Sequence, residues 1–253
     1  RAPASQIRSQ AMNPILLIPA RMASTRLPGK PLADIGGVPM IVRVWARAAA
    51  AGLGPVVVAA GEPQVVAAVE RAGGRAVLTE PGLPSGSDRI WAALMAIDPQ
   101  GHHDVVVNLQ GDLPALDPAE LRLVVDLLHE SGADIATLAA PIDNEADRIN
   151  PAVVKAVAAW NADETRGRAL YFTRATAPTG EGTLWHHVGL YAYRRAALER
   201  FVSLPPSPLE RREKLEQLRA LEAGMSIAIA RVDAPPLSVD TPQDLARARS
   251  LLQ

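Results

Sequence analysis

The sequence predicts a single α/β domain in which a mostly parallel β-sheet is covered by helices on both faces. Short runs of consecutive apolar residues, such as Val56–Ala60 and Val105–Leu109, alternate with segments of helical periodicity through the first half of the chain. Strands that are apolar on both faces are typical of parallel sheets buried between two helical layers. The chain has 253 residues, which is enough for one large domain or for a domain carrying a smaller insert.

The elements of the first half follow this alternation in order. Strands are predicted at 15–18, 56–60, 76–79, 105–109 and 135–140, and helices at 40–51, 64–72, 86–97 and 118–131. Gly73 and Gly74 end the second helix, because glycine readily adopts the left-handed conformation found after a helix. Asp117 and Pro118 provide an N-cap and a first-turn proline for the fourth helix.

After about residue 141 the pattern changes to strands without a clear helix between them. Strands are predicted at 153–160, 169–173 and 187–193, so a β-rich segment at approximately 150–195 either extends the sheet or forms an inserted small β lobe. A helix at 207–223 and a strand at 226–232 follow. Thr241 is the expected N-cap of a last helix, with Pro242 in its first turn and Asp244 at the capping-box position. We expect one domain over 12–253, preceded at 1–11 by a tag remnant or a disordered extension.

Composition excludes several classes of function. The formal net charge of -1 argues against non-specific binding to nucleic acid, which requires a basic surface. The chain contains no cysteine, which rules out disulfides, iron–sulfur clusters and thiolate zinc sites. No apolar run is long enough to span a bilayer. We therefore expect a soluble, cytoplasmic protein with neither nucleic acid nor membrane as a partner.

The loop after the first strand carries three cations and no acid. Arg21, Arg26 and Lys30 lie within 19–32, at the carboxyl end of a strand, where open parallel sheets bind their ligands. Small residues, among them Ser24, allow close approach of a ligand to the backbone. A solvated basic loop would explain the charge alone. However, the chain has only three lysines, and two prolines beyond the strand, Pro28 and Pro31, stiffen this loop. The pattern therefore favours binding of a triphosphate.

Two aspartates are candidate magnesium ligands. Asp112 follows Gln110 and Gly111 at the end of the strand 105–109, again at a carboxyl end. Asp240 precedes the last helix, and because Thr241 suffices as its cap, Asp240 has no evident local structural duty. Magnesium prefers few carboxylates together with phosphate oxygens and water. A strand followed by Gly-Asp is as often a simple turn as a metal site, so this pattern alone does not distinguish the two.

A series of motifs resembles the bacterial CMP-Kdo synthetases, the 3-deoxy-manno-octulosonate cytidylyltransferases. The first is Ile18-Pro-Ala-Arg21 followed by Ser24-Thr-Arg-Leu-Pro-Gly-Lys30-Pro-Leu. The others, in order, are Ser85-Gly86 with Arg89, Asn108-Leu-Gln-Gly-Asp112, Tyr171-Phe-Thr-Arg-Ala175, His187-Val-Gly-Leu-Tyr191, Pro206-Ser-Pro-Leu-Glu210 with Leu215-Glu-Gln-Leu-Arg219, and Val239-Asp-Thr-Pro242. The resemblance covers the chain from about Met12 to its end, and its specificity lies in the combination of motifs.

This resemblance implies an activity and a fold. The activity is transfer of CMP from CTP to the anomeric hydroxyl of the acid sugar Kdo, with release of pyrophosphate and dependence on Mg²⁺, which activates Kdo for lipopolysaccharide biosynthesis. The implied fold is a Rossmann-like nucleotidyltransferase sheet (GT-A-like), in which the β lobe serves dimerisation. We expect a homodimer, with Tyr171, Phe172 and Trp185 exposed on the lobe and buried against a second copy.

The resemblance also implies roles for individual residues. The catalytic set is Arg21 and Lys30, which take the triphosphate charge, with Asp112 and Asp240 as metal ligands. The residues expected to bind CTP are Pro19, Ala20, Arg21, Ser24, Lys30, Ser85, Gly86, Gln110 and Gly111, with the small ones facing cytosine. The residues expected to bind the sugar are Arg26, Gln110, Arg174, His187, Tyr191, Glu210 and Gln217, with Arg26 as first choice for its carboxylate.

Three positions depart from the family pattern and leave alternatives open. The chain has Leu113 where the family often has Glu, Gly61 where it often has Asp, and His186 where it often has Arg. These departures concern the sugar more than CTP, so another acid sugar, such as sialic acid or a Kdo analogue, is an alternative acceptor. A non-catalytic nucleotide-sensing module on the same scaffold is a further alternative, against which the presence of all four catalytic candidates argues. A dinucleotide oxidoreductase is disfavoured, because the glycine fingerprint is absent.

Overall fold

In a computed structural model, which describes residues 12–24 and 26–252, a nine-stranded mixed sheet forms the centre of the protein. The strands are β1 Pro14–Ala20, β2 Asp34–Ile35, β3 Val38–Pro39, β4 Val56–Ala60, β5 Arg75–Leu78, β6 Val105–Leu109, β7 Ile135–Pro141, β8 Lys155–Trp160, β9 Arg166–Thr173, β10 Trp185–Arg194 and β11 Ile227–Arg231. The order in the sheet is β5-β4-β1-β6-β10-β7-β11-β9-β8, and β2 and β3 form a separate hairpin. The prediction for residues 1–11 lies outside the described residues.

Nine α-helices are found among the described residues. They are α1 Met40–Ala50, α2 Pro63–Arg71, α3 Gly86–Ile97, α4 Pro118–Ser131, α5 Glu145–Ile149, α6 Arg195–Ser203, α7 Pro208–Glu213, α8 Gln217–Glu222 and α9 Pro242–Leu251, and a 3-10 helix spans Lys30–Leu32. Asp117 caps α4 by accepting a hydrogen bond from the N–H of Ala119, as the sequence predicts. No helix in this part of the chain combines the length and apolar character needed to cross a membrane.

The strand β1 shows why helices cover both faces of the sheet. Successive side chains of a strand point to opposite faces, and both sets in β1 are buried. Leu16 and Ile18 belong to one apolar cluster, which includes side chains of α1, α4 and α9. Ile15 and Leu17 belong to the other, which includes side chains of α3, α6 and α8. Each such side chain contributes about 1.5–3 kcal/mol when buried. Because helices pack on both apolar faces, the predicted covering of the sheet on both sides is confirmed.

The strands of the first half are parallel, and those of the second half are mixed. β1 pairs in parallel with both β4 and β6, and β4 pairs in parallel with β5. β10 is antiparallel to both of its neighbours, β6 and β7. β8 pairs with β9 and also touches β10, which curls this end of the sheet toward closure. The segment at approximately 150–195 therefore extends the central sheet, one of the two arrangements that its sequence allows.

Two predictions about the second half are wrong. The helix predicted at 207–223 is divided into α7 and α8, because Lys214 adopts a left-handed conformation with φ 55°. The aromatic side chains predicted to be exposed are largely covered: Phe172 is fully buried and Trp185 is 4% exposed, while Tyr171 is partly buried. They point into the second apolar cluster, where the curled end of the sheet encloses them.

Candidate active site

A cavity of about 280 Å³ opens at the carboxyl ends of β1 and β6. It is bordered by the loop after β1, the start of α3 and the turn after β6. All nine residues predicted to bind the nucleotide line it, namely Pro19, Ala20, Arg21, Ser24, Lys30, Ser85, Gly86, Gln110 and Gly111. The structure thus brings this set together from three separate parts of the chain, and the binding role of each residue stays a prediction.

The loop after β1 is held in place by backbone hydrogen bonds. The N–H of Gly29 donates to the carbonyl of Met22 at 3.2 Å, and Gly29 has φ 72°, a conformation that favours glycine. The N–H of Met22 donates to the Glu62 carboxylate at 2.8 Å. These contacts fold the loop back on itself and start the short 3-10 helix, which carries Lys30 to the mouth of the cavity.

Gly111 allows two strand ends to pack closely. A Cβ atom at this position would lie 3.0 Å from the carbonyl oxygen of Pro19, tighter than ordinary packing allows. The absence of a side chain lets the turn after β6 lie directly against the end of β1. This contact brings Gln110 and Asp112 to the same edge of the sheet as Arg21.

Asp112 and Asp240 share one ammonium group. The Nζ of Lys30 donates to Asp112 Oδ2 at 2.7 Å and to Asp240 Oδ1 at 2.9 Å. Arg26 lies close by, with its Nη2 at 3.4 Å from Asp240 Oδ1 and its side chain largely exposed. Three of the four residues predicted to be catalytic therefore meet at one point beside the cavity, and Arg21 lines the cavity itself.

The position of Asp240 is fixed by its neighbours in the chain. The N–H of Val239, a buried residue, donates to the backbone carbonyl of Asp112 at 2.9 Å. Thr241 and Asp244 form a reciprocal capping box at the start of α9, as predicted, and the N–H of Asp240 also donates to Asp244 at 3.1 Å. The cap thus leaves the side chain of Asp240 free to point toward Lys30.

The charge balance at this cluster favours a protonated lysine. Burial alone would lower the pKa of Lys30, but the negative charges of Asp112 and Asp240 and the hydrogen bonds to them raise it above its usual value. The ammonium therefore remains charged and neutralises part of the acid pair at neutral pH.

The donor set of the acid pair fits magnesium. Two carboxylates that reach the same ammonium can also reach one small cation, and Mg²⁺ prefers hard oxygen ligands. Within the described part of the chain, no cluster of three or more His, Cys, Asp or Glu side chains suitable for a metal is found. A site with only two carboxylates suits a magnesium ion whose other ligands are phosphate oxygens and water.

Arg89 lines the same cavity and was not assigned a role from the sequence. It is 2% exposed, and its guanidinium donates to Thr79 Oγ1 at 2.6 Å and to the carbonyls of Glu80 and Pro81. Burial lowers the pKa of Arg89, although the charge of Glu62 opposes this effect. Arg89 therefore holds the segment 79–81, which continues into the cavity wall at Leu83. Its place in the Ser85-Gly86 motif was the available signal.

A second cavity of about 300 Å³ adjoins the first and contains four of the predicted sugar ligands. These are Gln110, His187, Tyr191 and Gln217. A third cavity of about 210 Å³ is lined by Asp112, Leu113, His186 and His187, and Gln110 borders all three. Gln110 therefore lies where the nucleotide side and the sugar side of the site meet.

Glu216 is a residue of the second cavity that sequence analysis missed. Its Oε2 accepts a hydrogen bond from Ser87 at 3.1 Å, whereas its buried Oε1 has no partner among the described residues. Burial raises the pKa of Glu216, partly offset by Ser85 and Arg219. A buried carboxylate oxygen without a partner is costly unless a ligand satisfies it. The signal was present in Leu215-Glu-Gln-Leu-Arg219, but the sequence did not distinguish Glu216 from its acidic neighbours.

Glu210 and Arg174, two of the predicted sugar ligands, are engaged in other contacts in this structure, and their role toward the sugar stays a prediction. Both carboxylate oxygens of Glu210 accept hydrogen bonds from Arg219, at 2.6 and 2.9 Å, and Glu210 also completes the cap of α7. The guanidinium of Arg174 donates to the backbone carbonyls of Pro151, Glu213 and Lys214. Neither residue lines the second or third cavity. The break at Lys214 also removes the single helical stripe on which Glu210 had been placed together with Gln217.

Comparison with known proteins gives a consistent result. The family model described as "Cytidylyltransferase" matches residues 15–227. The chain is 65% identical to the 3-deoxy-manno-octulosonate cytidylyltransferase of Parvibaculum lavamentivorans over 242 residues, covering 96% of this chain and 93% of the relative. It is also 65% identical to the enzyme of that name from Methylobacterium nodulans over 240 residues, covering 95% and 97%.

Solved structures agree with this assignment. The structure of a CMP:2-keto-3-deoxy-manno-octonic acid synthetase complexed with CTP superposes with a TM-score of 0.86 at 38% identity, covering 95% of this chain and 98% of the other. A nucleotidyl transferase from Methanothermobacter thermautotroptrophicus shares the fold, with a TM-score of 0.62 at 16% identity over 94% and 97% of the two chains. The predicted nucleotidyltransferase-type α/β fold is thereby confirmed. The chain belongs to the cytidylyltransferase family and, within it, to the 3-deoxy-manno-octulosonate cytidylyltransferases.

Proposed function

We propose that this protein transfers CMP from CTP to the anomeric hydroxyl of Kdo and releases pyrophosphate. The observation that carries the proposal is the cluster of Lys30, Asp112 and Asp240 beside a cavity lined by the whole predicted nucleotide set. Such an arrangement combines a cation for phosphate with acids for a metal, as a phosphoryl-type transfer requires. The close relatives bear the name of the same reaction.

CTP occupies the first cavity in this proposal. Arg21 and Lys30 face the triphosphate, and both border the cavity. Ala20, Ser24 and Gly86 leave room for cytosine and offer backbone groups to its polar edge. The stiff, pinned loop after β1 lowers the entropy lost when its cations take up a fixed position around the phosphates.

Asp112 and Asp240 are the residues that would hold Mg²⁺. When bound, the ion would supply charge neutralisation at the phosphates and would lower the pKa of the attacking hydroxyl. The protein's own contribution is to fix the two carboxylates, through the Val239–Asp112 backbone hydrogen bond and the cap of α9. Lys30, released from the acid pair, can then face the triphosphate.

The acid sugar binds on the side of the second and third cavities. Gln110, His187, Tyr191, Gln217 and the newly identified Glu216 offer hydrogen-bonding groups there. Arg26, at the edge of the acid pair, is our candidate for the sugar carboxylate. In this arrangement the hydroxyl oxygen attacks the α-phosphorus and gives up its proton to solvent, a new oxygen–phosphorus bond forms, and the bond to the pyrophosphate oxygen breaks.

A related acid sugar is the second candidate acceptor. Two of the three departures from the family pattern, Leu113 and His186, line the third cavity, next to Asp112. A change of side chain there alters the shape and polarity of the sugar side while leaving the nucleotide cavity intact. Gly61, the third, lies beside Arg89, where a Cβ would be 3.0 Å from its guanidinium.

The Rossmann-like arrangement and the dimer are also part of the proposal. Four parallel strands in the order β5-β4-β1-β6, with helices on both faces, support the first. Leu170, on β9, is 46% exposed and offers an apolar contact for a second copy. Light scattering should give twice the mass of the chain, and a monomer at high concentration would contradict the dimer. We also propose that the protein acts in the cytoplasm.

An assay of pyrophosphate release tests the proposed function. Purified protein is incubated with CTP and either Kdo or sialic acid, with Mg²⁺ present or removed by a chelator. We expect release with Kdo and magnesium only. Release with sialic acid but not Kdo would establish the second candidate, and CTP binding by calorimetry without turnover of either sugar would favour a nucleotide-sensing module.

A further inference from the structure

The hydroxyl of Thr137 lies at an irregular point between two strands. Thr137, in the middle of β7, is fully buried, and the register of β10 against it shifts between Val188 and Tyr191. Its Oγ1 is 2.8 Å from the carbonyl oxygen of Leu190 and 3.2 Å from that of Val188. The same Oγ1 is 3.0 Å from Nε2 of His187.

These distances determine which nitrogen of His187 carries the proton. A carbonyl oxygen only accepts, so the single hydroxyl proton of Thr137 must be directed to the carbonyls of Leu190 and Val188. The hydroxyl oxygen is then left to accept from His187, which requires a proton on Nε2. The opposite assignment would leave an oxygen 2.8 Å from a carbonyl oxygen with no proton between them.

His187 is neutral as well as fixed in tautomer. Burial lowers its pKa to about 3, with a smaller contribution from His186. A neutral imidazole with its proton on Nε2 has a lone pair on Nδ1, which is therefore a hydrogen-bond acceptor. No residue in the described ranges forms a hydrogen bond with Nδ1. This atom is also not one of the fully buried polar atoms that lack a partner, which means that part of its surface is accessible.

The ring is held firmly at the border of two cavities. His187 lines both the second and the third cavity. Its ring packs edge-on against Phe172, with centroids 4.7 Å apart, and its backbone N–H donates to the carbonyl of Val154 at 2.8 Å. The ring therefore keeps one orientation relative to the sugar side of the site.

We propose that Thr137 is a positioning residue that fixes His187 in the Nε2–H tautomer, so that Nδ1 accepts a hydrogen bond from a hydroxyl of the acid sugar. The inference rests on the proposed function for the identity of the sugar, but its first part concerns the free protein alone. Without the hydroxyl of Thr137, the ring can exchange tautomers and carry its proton on Nδ1. Nδ1 would then be a donor facing the hydroxyl donor of the sugar. The site would then discriminate less well in favour of a hydroxyl donor.

Nitrogen NMR of the histidine rings tests the tautomer. Long-range proton–nitrogen spectra distinguish the protonated from the unprotonated ring nitrogen, and the His187 signals are identified by their loss in His187→Gln. We expect one tautomer, protonated on Nε2, in the wild type and in Thr137→Ser, and a mixture in Thr137→Val. A proton on Nδ1 in the wild type, or an unchanged tautomer in Thr137→Val, overturns the proposal.

Steady-state kinetics test the link to the sugar. Thr137→Val should raise KM for Kdo about tenfold while KM for CTP stays within about twofold of the wild type, and Thr137→Ser should restore KM for Kdo. A uniform loss for both substrates, or no change in KM for Kdo, overturns the assigned role. If Thr137→Val does not fold, Thr137→Ala replaces it, and the wild-type spectrum still decides the tautomer. If the wild type turns over no Kdo, the proposed acceptor fails, while the spectra test the tautomer independently.

Discussion

Lys30 makes the closest charged contacts of the site, and its chemistry depends on what else is bound. In the protein alone its ammonium bridges Asp112 and Asp240 at 2.7 and 2.9 Å. The same three residues are proposed to serve a triphosphate and a magnesium ion. A lysine that neutralises the acids in the free protein must therefore exchange partners when both ligands bind. The role of the acids in activity and the effect of the lysine on metal binding can then be tested with separate variants.

Replacing Asp112 by Asn should remove most of the activity without unfolding the protein. The amide keeps the shape of the side chain but loses the charge that a magnesium ligand needs. We expect kcat to fall about 100-fold or more, equivalent to ~2.7 kcal/mol, in a pyrophosphate-release assay at saturating Mg²⁺. Asp126→Asn, on the exposed side of α4, is the matched control and should retain wild-type activity. Near-wild-type kcat in Asp112→Asn would remove this residue from the metal site.

Replacing Lys30 by Met should strengthen binding of a divalent cation when no nucleotide is present. In the wild type a cation must displace an ammonium held by two charge-assisted hydrogen bonds. Calorimetric titration with Mn²⁺, as a probe for Mg²⁺, should show Kd lowered about tenfold, equivalent to ~1.4 kcal/mol. Arg71→Met, which removes an exposed positive charge on α2, should leave Kd unchanged. Equal or weaker Mn²⁺ binding in Lys30→Met would argue that the acid pair does not hold a metal.

At the scale of elements, α9 connects stability with the geometry of the site. Its N-terminal capping box is formed by Thr241 and Asp244, and the residue immediately before it is Asp240. The N–H of Asp240 donates to the same carboxylate oxygen of Asp244 that accepts from Thr241. A change in the cap therefore affects both the helix and the position of a proposed metal ligand.

Thr241→Ala should lower both stability and activity. Loss of an N-cap costs about 1 kcal/mol, which corresponds to a fall in Tm of about 2–4 °C for a domain of this size. We also expect kcat to fall several-fold, because Asp240 loses its fixed position. Ser207→Ala, at the equivalent position of the capping box of α7, is the control. It should lower Tm by a similar amount with kcat unchanged; an equal loss of kcat in both variants would contradict a specific role for the α9 cap.

Asp98, at the end of α3, connects this helix with the start of α6. It accepts from the backbone N–H groups of His102 and His103, and from Arg195 at 2.7 Å. Burial alone would raise the pKa of Asp98, but these hydrogen bonds and the charge of Arg195 lower it well below the usual range. The carboxylate is therefore a pH-dependent source of stability.

Asp98→Asn should destabilise the protein at neutral pH and less so in acid. The folded-state pKa is depressed, so the stabilisation is fully present above the unfolded-state pKa, about 3.9, and is lost as the pH falls toward the folded-state value. At pH 7 we expect the free energy of unfolding to fall by about 2 kcal/mol, measured by urea denaturation. The difference from the wild type should shrink below about pH 4. A difference that is the same at pH 7 and pH 3.5 would contradict this explanation.

The accuracy of the sequence prediction differed between elements for physical reasons. Strands such as Val105–Leu109 and the helix Gly86–Ile97 were predicted with their observed bounds, because their apolar pattern and caps are local. The helix α6 was missed, since it starts directly after β10 with no intervening turn residues. The break between α7 and α8 depends on the left-handed conformation of Lys214, which no local signal indicated.

At the scale of the whole molecule, the sheet brings together segments that are far apart in sequence. Lys30 is separated in sequence by 82 residues from Asp112 and by 210 residues from Asp240. The sequence placed Asp112 at a strand end, but its pairing with Asp240 rested mainly on the family resemblance and the bridging by Lys30 was not foreseen, so only part of their meeting was predictable. The duties of Glu210 and Glu216 were not, because which carboxylate faces a cavity depends on how two short helices pack after the chain has folded.

Because the site is formed by segments that are far apart in sequence, binding of CTP should stabilise the whole fold. A ligand that binds only the folded state adds about 2.7 kcal/mol when present at 100 times its Kd. For a domain of this size that corresponds to a rise in Tm of about 5–10 °C, measured by thermal unfolding with CTP and Mg²⁺. UTP and GTP at the same concentration should give a smaller rise, because the wall around Ser24 and Gly86 is proposed to face cytosine.

Two variants separate the phosphate and metal contributions to this rise. Asp240→Asn should lose most of the part that depends on Mg²⁺ and keep the part seen with CTP and a chelator. Arg21→Met should lose the part seen with the chelator, since Arg21 borders the cavity and faces the proposed triphosphate. If CTP, UTP and GTP all raise Tm equally and neither variant reduces the rise, the nucleotide binds somewhere other than the cavity at the carboxyl ends of β1 and β6.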